Sequence, residues 1–264
     1  QWQAGGSNVE KYRQRVREGA WTEVWPDEQG GERTVEVKGE IWTEAIQAAL
    51  DENQVVYIPA REKPYYLDGP LIVHTGNTLA ADAKAEIRLR PGSNCCMVRN
   101  KKLAIEKEGP AEVSEDADRD IVIDGGIWTT LATAPGQSNG NVNGFGDRQG
   151  TIQSHGTILL NQVRRVRVGN LTIRQCRPHG VQMSRCEEFV VEDIRFEEHR
   201  RDGVHINGPA HWGVIRRISG TTYDDMVGLL PWDWKHTAIG FGTIDHVLVE
   251  EVETPGPASI RLLP

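Results

Sequence analysis

Cysteine is scarce in this sequence and long apolar runs are missing, and both absences exclude classes of protein. No stretch of 18 consecutive apolar residues occurs, so no segment is predicted to cross a membrane. The chain opens on Gln1 without a recognisable signal peptide, which we interpret as a mature or trimmed form of a secreted or periplasmic protein. The cysteines lack the spacing of a disulfide framework and are predicted to be buried as small apolar residues; they are Cys95, Cys96, Cys176 and Cys186.

The motifs of several common enzyme classes are also absent. The sequence has no HExxH or CxxC pair, no glycine-rich phosphate loop, and no serine, histidine and aspartate in the order of a known triad. We therefore expect neither a bound metal nor an organic cofactor. The formal net charge of -8 argues against a nucleic acid or an anionic membrane surface as the partner.

What the sequence contains instead is an internal repeat with a constant offset of 23 residues. Its four copies cover residues 156–160, 179–183, 202–206 and 225–229. Two columns of the repeat are apolar, formed by Ile158, Val181, Val204 and Val227 and by Leu160, Met183, Ile206 and Leu229, and the column between them is mixed, with Leu159, Gln182, His205 and Gly228. A second strand keeps the same offset at Val168, Val191 and Val214. Short strands that repeat in this way without intervening helices are typical of a parallel β-helix.

In a parallel β-helix each coil stacks on the next at the β-sheet spacing of about 4.8 Å. The sequence therefore predicts an all-β solenoid whose apolar columns fill the bore and whose mixed column faces outward. We expect a short helix over residues 43–50, with Thr43 as its N-cap, to cover the first coil. The domain prediction is an irregular leader over residues 1–40, followed by one β-helix domain over 41–264.

Two further stretches bear on the surroundings of a site. Residues 135–150 are rich in glycine and asparagine and are expected to project from a turn and to wall a groove. The strand-like stretch 260–264 is followed by no helix or polar coil that would cover its edge. We therefore expect a further chain segment or another subunit to cover the C-terminal coil.

Three carboxylates are predicted to meet on neighbouring coils. Asp202 and Asp225 occupy the same column of the repeat, and Asp224 adjoins Asp225. Strand alternation would point Asp202 into the bore, so Gly203 is expected to let the backbone turn the acid outward. Like charges this close raise the pKa of one member, and paired acids of different pKa are what glycosidic bond hydrolysis requires. Aspartates that only cap turns are the structural alternative.

The order of these residues resembles that of glycoside hydrolase family 28, the polygalacturonase family of right-handed parallel β-helices with a pectin lyase-like fold. The similarity rests on four short stretches: Arg200-Arg201-Asp202-Gly203, Tyr223-Asp224-Asp225, Lys235-His236-Thr237 and Arg261-Leu262-Leu263. The sequence departs from that family where Arg200-Arg201 replaces an asparagine and a threonine and where Leu263 replaces a lysine that engages a sugar carboxylate.

The resemblance implies a role for each matching residue. Asp224 would be the general acid, and Asp202 and Asp225 would hold and activate the water, with inversion at the anomeric carbon. His236 would tune the acids, and Arg261 would bind the substrate. Further candidates for lining sugar subsites are Trp232, Trp234, His205, His179 and Arg201.

The sequence thus predicts a glycosidase whose partner is a polysaccharide or oligosaccharide, neutral or acidic. Two alternatives stay open. One is a polysaccharide lyase on the same fold, in which the acids hold calcium and an arginine abstracts a proton. The other is a non-catalytic solenoid that binds glycans through its tryptophans.

Overall fold

The computed structural model describes residues 5–26, 29, 31–93, 95–103, 112–130, 156–233, 238–255 and 260–263. These residues form a parallel β-helix, as the repeat predicted, and its hand is right, as the family resemblance implied. The one α-helix of the described residues, α1, spans Thr43–Glu52. The strands are β1 Ser7–Asn8, β2 Arg17–Pro26, β3 Glu32–Ile41, β4 Val55–Ile58, β5 Tyr65–Leu67, β6 Leu71–Val73, β7 Thr78–Ala81, β8 Glu86–Leu89, β9 Val98–Asn100, β10 Asp118–Asp124, β11 Ile127–Thr129, β12 Ile158–Arg174, β13 Val181–His199, β14 Val204–Asn207, β15 Ala210–Thr222, β16 Val227–Leu230, β17 Ile244–Glu253 and β18 Ile260–Leu262.

Each coil runs through three faces of parallel strands. The first face contains β4, β7 and β10, the middle parts of β12, β13 and β15, and β17. The second face contains β5, β8 and β11 and continues through the last residues of β12, β13 and β15. The third face contains β6 and β9, the first residues of β12 and β13, and then β14, β16 and β18.

The third face has the register that the repeat predicted. Ile158, Val181, Val204 and Val227 are partners on successive strands and are fully buried in the bore. The mixed column is also in register, but Leu159, Gln182 and His205 are buried rather than exposed. The stretch 238–243 covers this outer surface, where Ile239 packs with Leu159.

The predicted column of Val168, Val191 and Val214 is in register from β12 to β13 but not from β13 to β15. Val168 pairs with Val191, as expected, but Val191 then pairs with Ile215, and Val214 pairs with Val190. Between β14 and β15 the chain contains one more residue than at the equivalent place within β13. The offset between partners therefore increases by one residue, and Cys186 pairs with Ala210. Ile215 therefore fills the bore and Val214 lies half-buried on the outside.

Helix α1 covers the N-terminal end of the bore, as predicted, with Ala45, Ile46, Ala49 and Leu50 buried against it. Its N-cap is Trp42 rather than Thr43, and no side chain caps the helix. The hydroxyl of Thr43 instead donates to Oδ1 of Asp68 in a neighbouring turn, at 2.7 Å.

The described part of the predicted irregular leader is ordered secondary structure. A 3-10 helix spans Val9–Arg15, and β2 and β3 form an antiparallel hairpin. The hairpin packs on the second face, where Trp21 meets Tyr66 edge-on at 4.5 Å. Glu23 is fully buried and accepts a hydrogen bond from Nη1 of Arg88 at 3.1 Å. The contacts are polar and aromatic, which is why hydrophobic periodicity did not reveal the hairpin.

The prediction that the cysteines are buried holds for three of the four, because Cys95 is half-buried. Cys96, Cys176 and Cys186 are buried, and all four cysteines are free thiols. Among the described residues, none of the helices has the length and apolar character needed to cross a bilayer.

Candidate active site

The predicted carboxylates lie in the turn that leads from the second face to the third. Neighbouring coils stack here through their backbones: the N–H of Gly180 donates to the carbonyl oxygen of Asp202 at 2.9 Å, and the N–H of Gly203 donates to that of Asp225 at 2.9 Å. His179, Asp202 and Asp225 therefore form one column of side chains, which the 23-residue offset predicted.

Gly203 is required in this turn for a different reason than the sequence suggested. Its backbone does not adopt a positive φ. A Cβ atom at this position would lie 2.7 Å from the ring of Phe196 and 2.7 Å from the carbonyl oxygen of Met226. The lack of a side chain therefore lets the turn pack directly on the phenylalanine that fills the bore.

Asp202 is buried in a short chain of hydrogen bonds. Nδ1 of His205 donates to Oδ2 of Asp202 at 2.6 Å, and Nε2 of His205 lies 3.1 Å from Oδ2 of Asp233. A single imidazole thus connects the predicted acid with a second aspartate from the turn after β16. The ring of His179 stacks on that of His205 at a centroid distance of 4.0 Å.

This arrangement favours the ionised forms of both Asp202 and His205. Burial lowers the pKa of His205, but the hydrogen bonds to Asp202 and Asp233 outweigh burial and raise the pKa to about 9. Burial also raises the pKa of Asp202, but its hydrogen bond to His205 and the charge of that ring hold the pKa well below its usual range. Asp202 is therefore a permanent anion at neutral pH.

Gly228 provides the space that the Asp202 side chain occupies. A Cβ atom at Gly228 would lie 3.1 Å from Oδ2 of Asp202. Gly228 is one coil above His205 in the mixed column, so the carboxylate lies over its backbone while it binds the imidazole below. A larger residue here would push the acid away from His205.

The surroundings of Asp225, in contrast, favour its protonated form. Burial and the negative charge of Asp202 raise its pKa to about 6, although the charge of Arg261 opposes the increase. Nε of Arg261 lies 2.8 Å from Oδ2 of Asp225. Two carboxyl groups one coil apart therefore differ in protonation when the pH falls to about 6 and below.

Asp224 is the most accessible of the three acids. Its side chain is 36% exposed, compared with 5% for Asp202 and 6% for Asp225. Its Oδ1 accepts from the backbone N–H of Asp225 at 3.2 Å, and its Oδ2 lies 4.0 Å from Nη1 of Arg201. Of the three, Asp224 is best placed to meet a substrate oxygen.

One oxygen from each of Asp202, Asp224 and Asp225 lies within 4.8 Å of the others. A water molecule that makes hydrogen bonds of about 2.7 Å to two oxygens can bridge such a gap. An all-oxygen trio is also the type of ligand set that calcium binds. The ligand atoms of His179, Asp202 and His205 converge within the same distance, but both nitrogens of His205 already contact carboxylates.

The structure thus brings together most of the residues selected from the sequence. Asp202, Asp224, Asp225, His179, His205, Arg201 and Arg261 belong to the cluster described above. His179 and His205 were expected to line a groove, but both are buried: their rings stack on each other, and His205 lies between Asp202 and Asp233. His236, Trp234 and the groove-walling loop 135–150 lie outside the described residues.

Two residues of the cluster were missed. Asp233 was not predicted, because it lies outside the repeat, between two tryptophans that were themselves candidates for binding sugar. His199 is fully buried, and its Nε2 donates to the backbone carbonyl of Asp202 at 2.9 Å. The repeat could have indicated His199, because Cys176, His199 and Thr222 are separated by the same constant offset and so form a column just before the acids.

Comparison with known proteins supports the fold. No protein-family model matches the sequence, and no curated protein matches it either. A protein from Parabacteroides merdae that is classed provisionally as a glycosyl hydrolase aligns with a TM-score of 0.55 at 13% identity, over 95% of this chain and 96% of its own. The surface protein and adhesin PfbA of Streptococcus pneumoniae aligns with a TM-score of 0.55 at 14% identity, over 93% and 60%. A family 28 exopolygalacturonase from Yersinia enterocolitica aligns with a TM-score of 0.51 at 13% identity, over 88% and 54%.

The chain therefore spans nearly the whole of the first protein but only 60% and 54% of the other two. At such low identity the similarity shows a shared pectin lyase-like β-helix. It does not extend to membership of family 28, which the motif resemblance implied.

Proposed function

We propose that this protein is a glycoside hydrolase that uses Asp202, Asp224 and Asp225 to cleave a polysaccharide or oligosaccharide. The observation that carries the proposal is the convergence of three carboxylate oxygens within 4.8 Å, in surroundings that shift the pKa values of Asp202 and Asp225 in opposite directions. Acids held at different pKa values are the requirement of glycosidic bond hydrolysis.

Each acid has a role in the proposed reaction. Asp224, the accessible acid, donates its proton to the glycosidic oxygen as the bond to the anomeric carbon breaks. A water held between Asp202 and Asp225 attacks that carbon, and its proton passes to Asp225, whose raised pKa makes it the better base. Asp202 stays ionised throughout and stabilises the positive charge that develops on the sugar ring.

The known structures are consistent with this proposal at the level of the fold. Two of them carry glycosidase descriptions, and one of these matches this chain over nearly its full length. The third is described as an adhesin, which favours a second candidate, glycan binding without turnover. Catalysis therefore has to be tested directly.

The decisive experiment compares wild type with Asp224→Asn on a panel of polyuronides and neutral glycans. Reducing ends and unsaturated products are followed together. We expect wild type to release reducing ends without unsaturation, and Asp224→Asn to lose about 10²–10⁴-fold in rate, since a positioned general acid contributes that much. A matched control is Asp245→Asn, because Asp245 is an exposed aspartate on the first face that pairs with His211.

Other outcomes assign other functions. Unsaturated products whose formation stops with a chelator would identify a calcium-dependent lyase. Glycan binding that survives Asp224→Asn, with no turnover by wild type, would identify a binding protein. Proton NMR of the first product reports whether the anomeric configuration inverts, as the resemblance implies, and His236→Ala tests the predicted tuning role of that histidine.

A further inference from the structure

Two exposed aromatic residues adjoin the carboxylate cluster. Tyr223 directly precedes Asp224 and is 62% exposed, and Trp232 directly precedes Asp233 and is 65% exposed. Tyr223 lies in the turn before β16, and Trp232 lies in the turn after it. Two of the three acids, Asp224 and Asp225, thus lie between the two aromatic residues along the chain.

Each ring is supported by a neighbouring side chain. The guanidinium of Arg200 lies over the ring of Tyr223 at 4.5 Å, and the backbone N–H of Tyr223 donates to the carbonyl of His199 at 2.9 Å. The ring of Trp232 is nearly parallel to that of Phe241, with centroids 6.0 Å apart and 21° between the planes. Rings that are already held in place lose little conformational freedom when a flat apolar surface, such as the C–H face of a pyranose, stacks on them.

The described cations beside the cluster already have partners. Arg261 pairs with Asp225 at 2.8 Å, and Arg201 lies 4.0 Å from Asp224. Arg200 is stacked on Tyr223. The carboxylate of an acidic sugar would have to displace an aspartate from its arginine and would then approach the remaining anions, which is electrostatically unfavourable.

We propose that the surface around the carboxylate cluster binds neutral pyranose chains, held by stacking on Tyr223 and Trp232, in preference to uronate chains held by ion pairs. This inference deepens the proposed function and rests on it. Tyr223 and Trp232 are the binding residues, and Arg200 positions the ring of Tyr223. Specificity arises from aromatic surface together with the excess of carboxylates around the reacting bond.

Binding is measured separately from turnover by calorimetry on the Asp224→Asn variant. The probes are oligosaccharides of galactose, glucose, mannose and xylose, together with oligogalacturonates of the same length. We expect at least one neutral series to bind, and to bind about tenfold or more weakly when Tyr223→Ala or Trp232→Ala is added, while Tyr223→Phe and Trp232→Phe retain affinity. Increasing salt should leave the affinity for the neutral oligosaccharide unchanged.

Trp212→Ala is the matched control, because Trp212 is 58% exposed and stacks on His246 at 3.9 Å on the first face. The inference is overturned if oligogalacturonate binds more tightly, if no neutral series binds, or if Tyr223→Ala and Trp212→Ala have the same effect. Neutral binding without turnover by wild type contradicts the proposed hydrolase but supports the inference. Turnover of a uronate chain by wild type would support the proposed hydrolase but contradict the inference.

Discussion

Asp225 is the residue whose charge should control the pH dependence of the reaction. In the proposed mechanism it accepts a proton from water, so it must be ionised, and its pKa is raised to about 6. We expect kcat/KM to fall as the pH decreases through about 6, because the protonated acid can no longer act as a base. A pH–rate profile measures this limb directly.

Arg261 provides the test of that assignment, because its charge lowers the pKa of Asp225. Arg261→Gln should move the acidic limb to higher pH, and Arg261→Lys should largely restore it. A rate that instead falls as the pH rises through 6 would make Asp225 the proton donor and would exchange its role with that of Asp224.

Gly203 is a residue of the candidate site at which even a single methyl group should be poorly tolerated. In Gly203→Ala the new carbon meets the ring of Phe196 and the carbonyl of Met226 at 2.7 Å, so the turn or the ring must shift. Overpacking of this kind costs about 1–3 kcal/mol of unfolding free energy. Urea unfolding measures the loss, and Gly69→Ala is the control, since its Cβ would meet only Thr43 at 3.8 Å. Equal stability of the two variants would contradict the packing argument.

At the scale of elements, the third face is covered by the non-repeating stretch 238–243. Asn161 and Arg185 both donate to the carbonyl of Ile239, each at 3.0 Å, and Asn207 accepts from the N–H of Ile239 at 3.1 Å. These polar side chains replace the hydrogen bonds that a strand would supply. They hold the stretch around Ile239 against the face.

Removal of one of these contacts should loosen the segment without unfolding the solenoid. Asn207→Ala deletes the acceptor for the N–H of Ile239, so we expect hydrogen exchange at that amide to accelerate by about tenfold, equivalent to roughly one net hydrogen bond. The amide of Val191, in the middle of the first face, should exchange as in wild type. Faster exchange at both amides would mean that the solenoid itself had been destabilised.

For the whole molecule, two buried histidines contribute opposite slopes to the dependence of stability on pH. Burial lowers the pKa of His199 to about 4, so the unfolded chain binds the extra proton and stability decreases as the pH falls from about 6.5 towards 4. The pKa of His205 is raised to about 9, so its contribution is complete below about 6.5 and is lost as the pH rises through 9.

Thermal unfolding between pH 4 and pH 9.5 tests this expectation. Relative to wild type, His205→Asn should flatten the decrease of the unfolding temperature above about pH 6.5 and leave the acidic limb in place. His199→Gln should do the opposite. An alkaline limb that persists in His205→Asn would show that the cluster around Asp202 does not hold a charged imidazole.

The sequence by itself determined the β-helix and the column that contains Asp202 and Asp225. Residues at a constant offset must stack when coils of equal length lie on one another. Both the apolar bore and the adjacency of the acids therefore follow from the constant offset in the sequence. The same reasoning failed where the coils stop being equal: one additional residue between β14 and β15 put Ile215, rather than Val214, in register with Val191.

Only the tertiary structure decided what surrounds the acids. Asp233 reaches His205 because the segment after β16 folds back over the third face, and no periodicity encodes that path. The opposite protonation tendencies of Asp202 and Asp225 likewise depend on which charged groups meet in space, on an imidazole in one case and on a second carboxylate in the other. The repeat determines that Asp202 and Asp225 stack, whereas their charge states depend on contacts with groups that the repeat does not place.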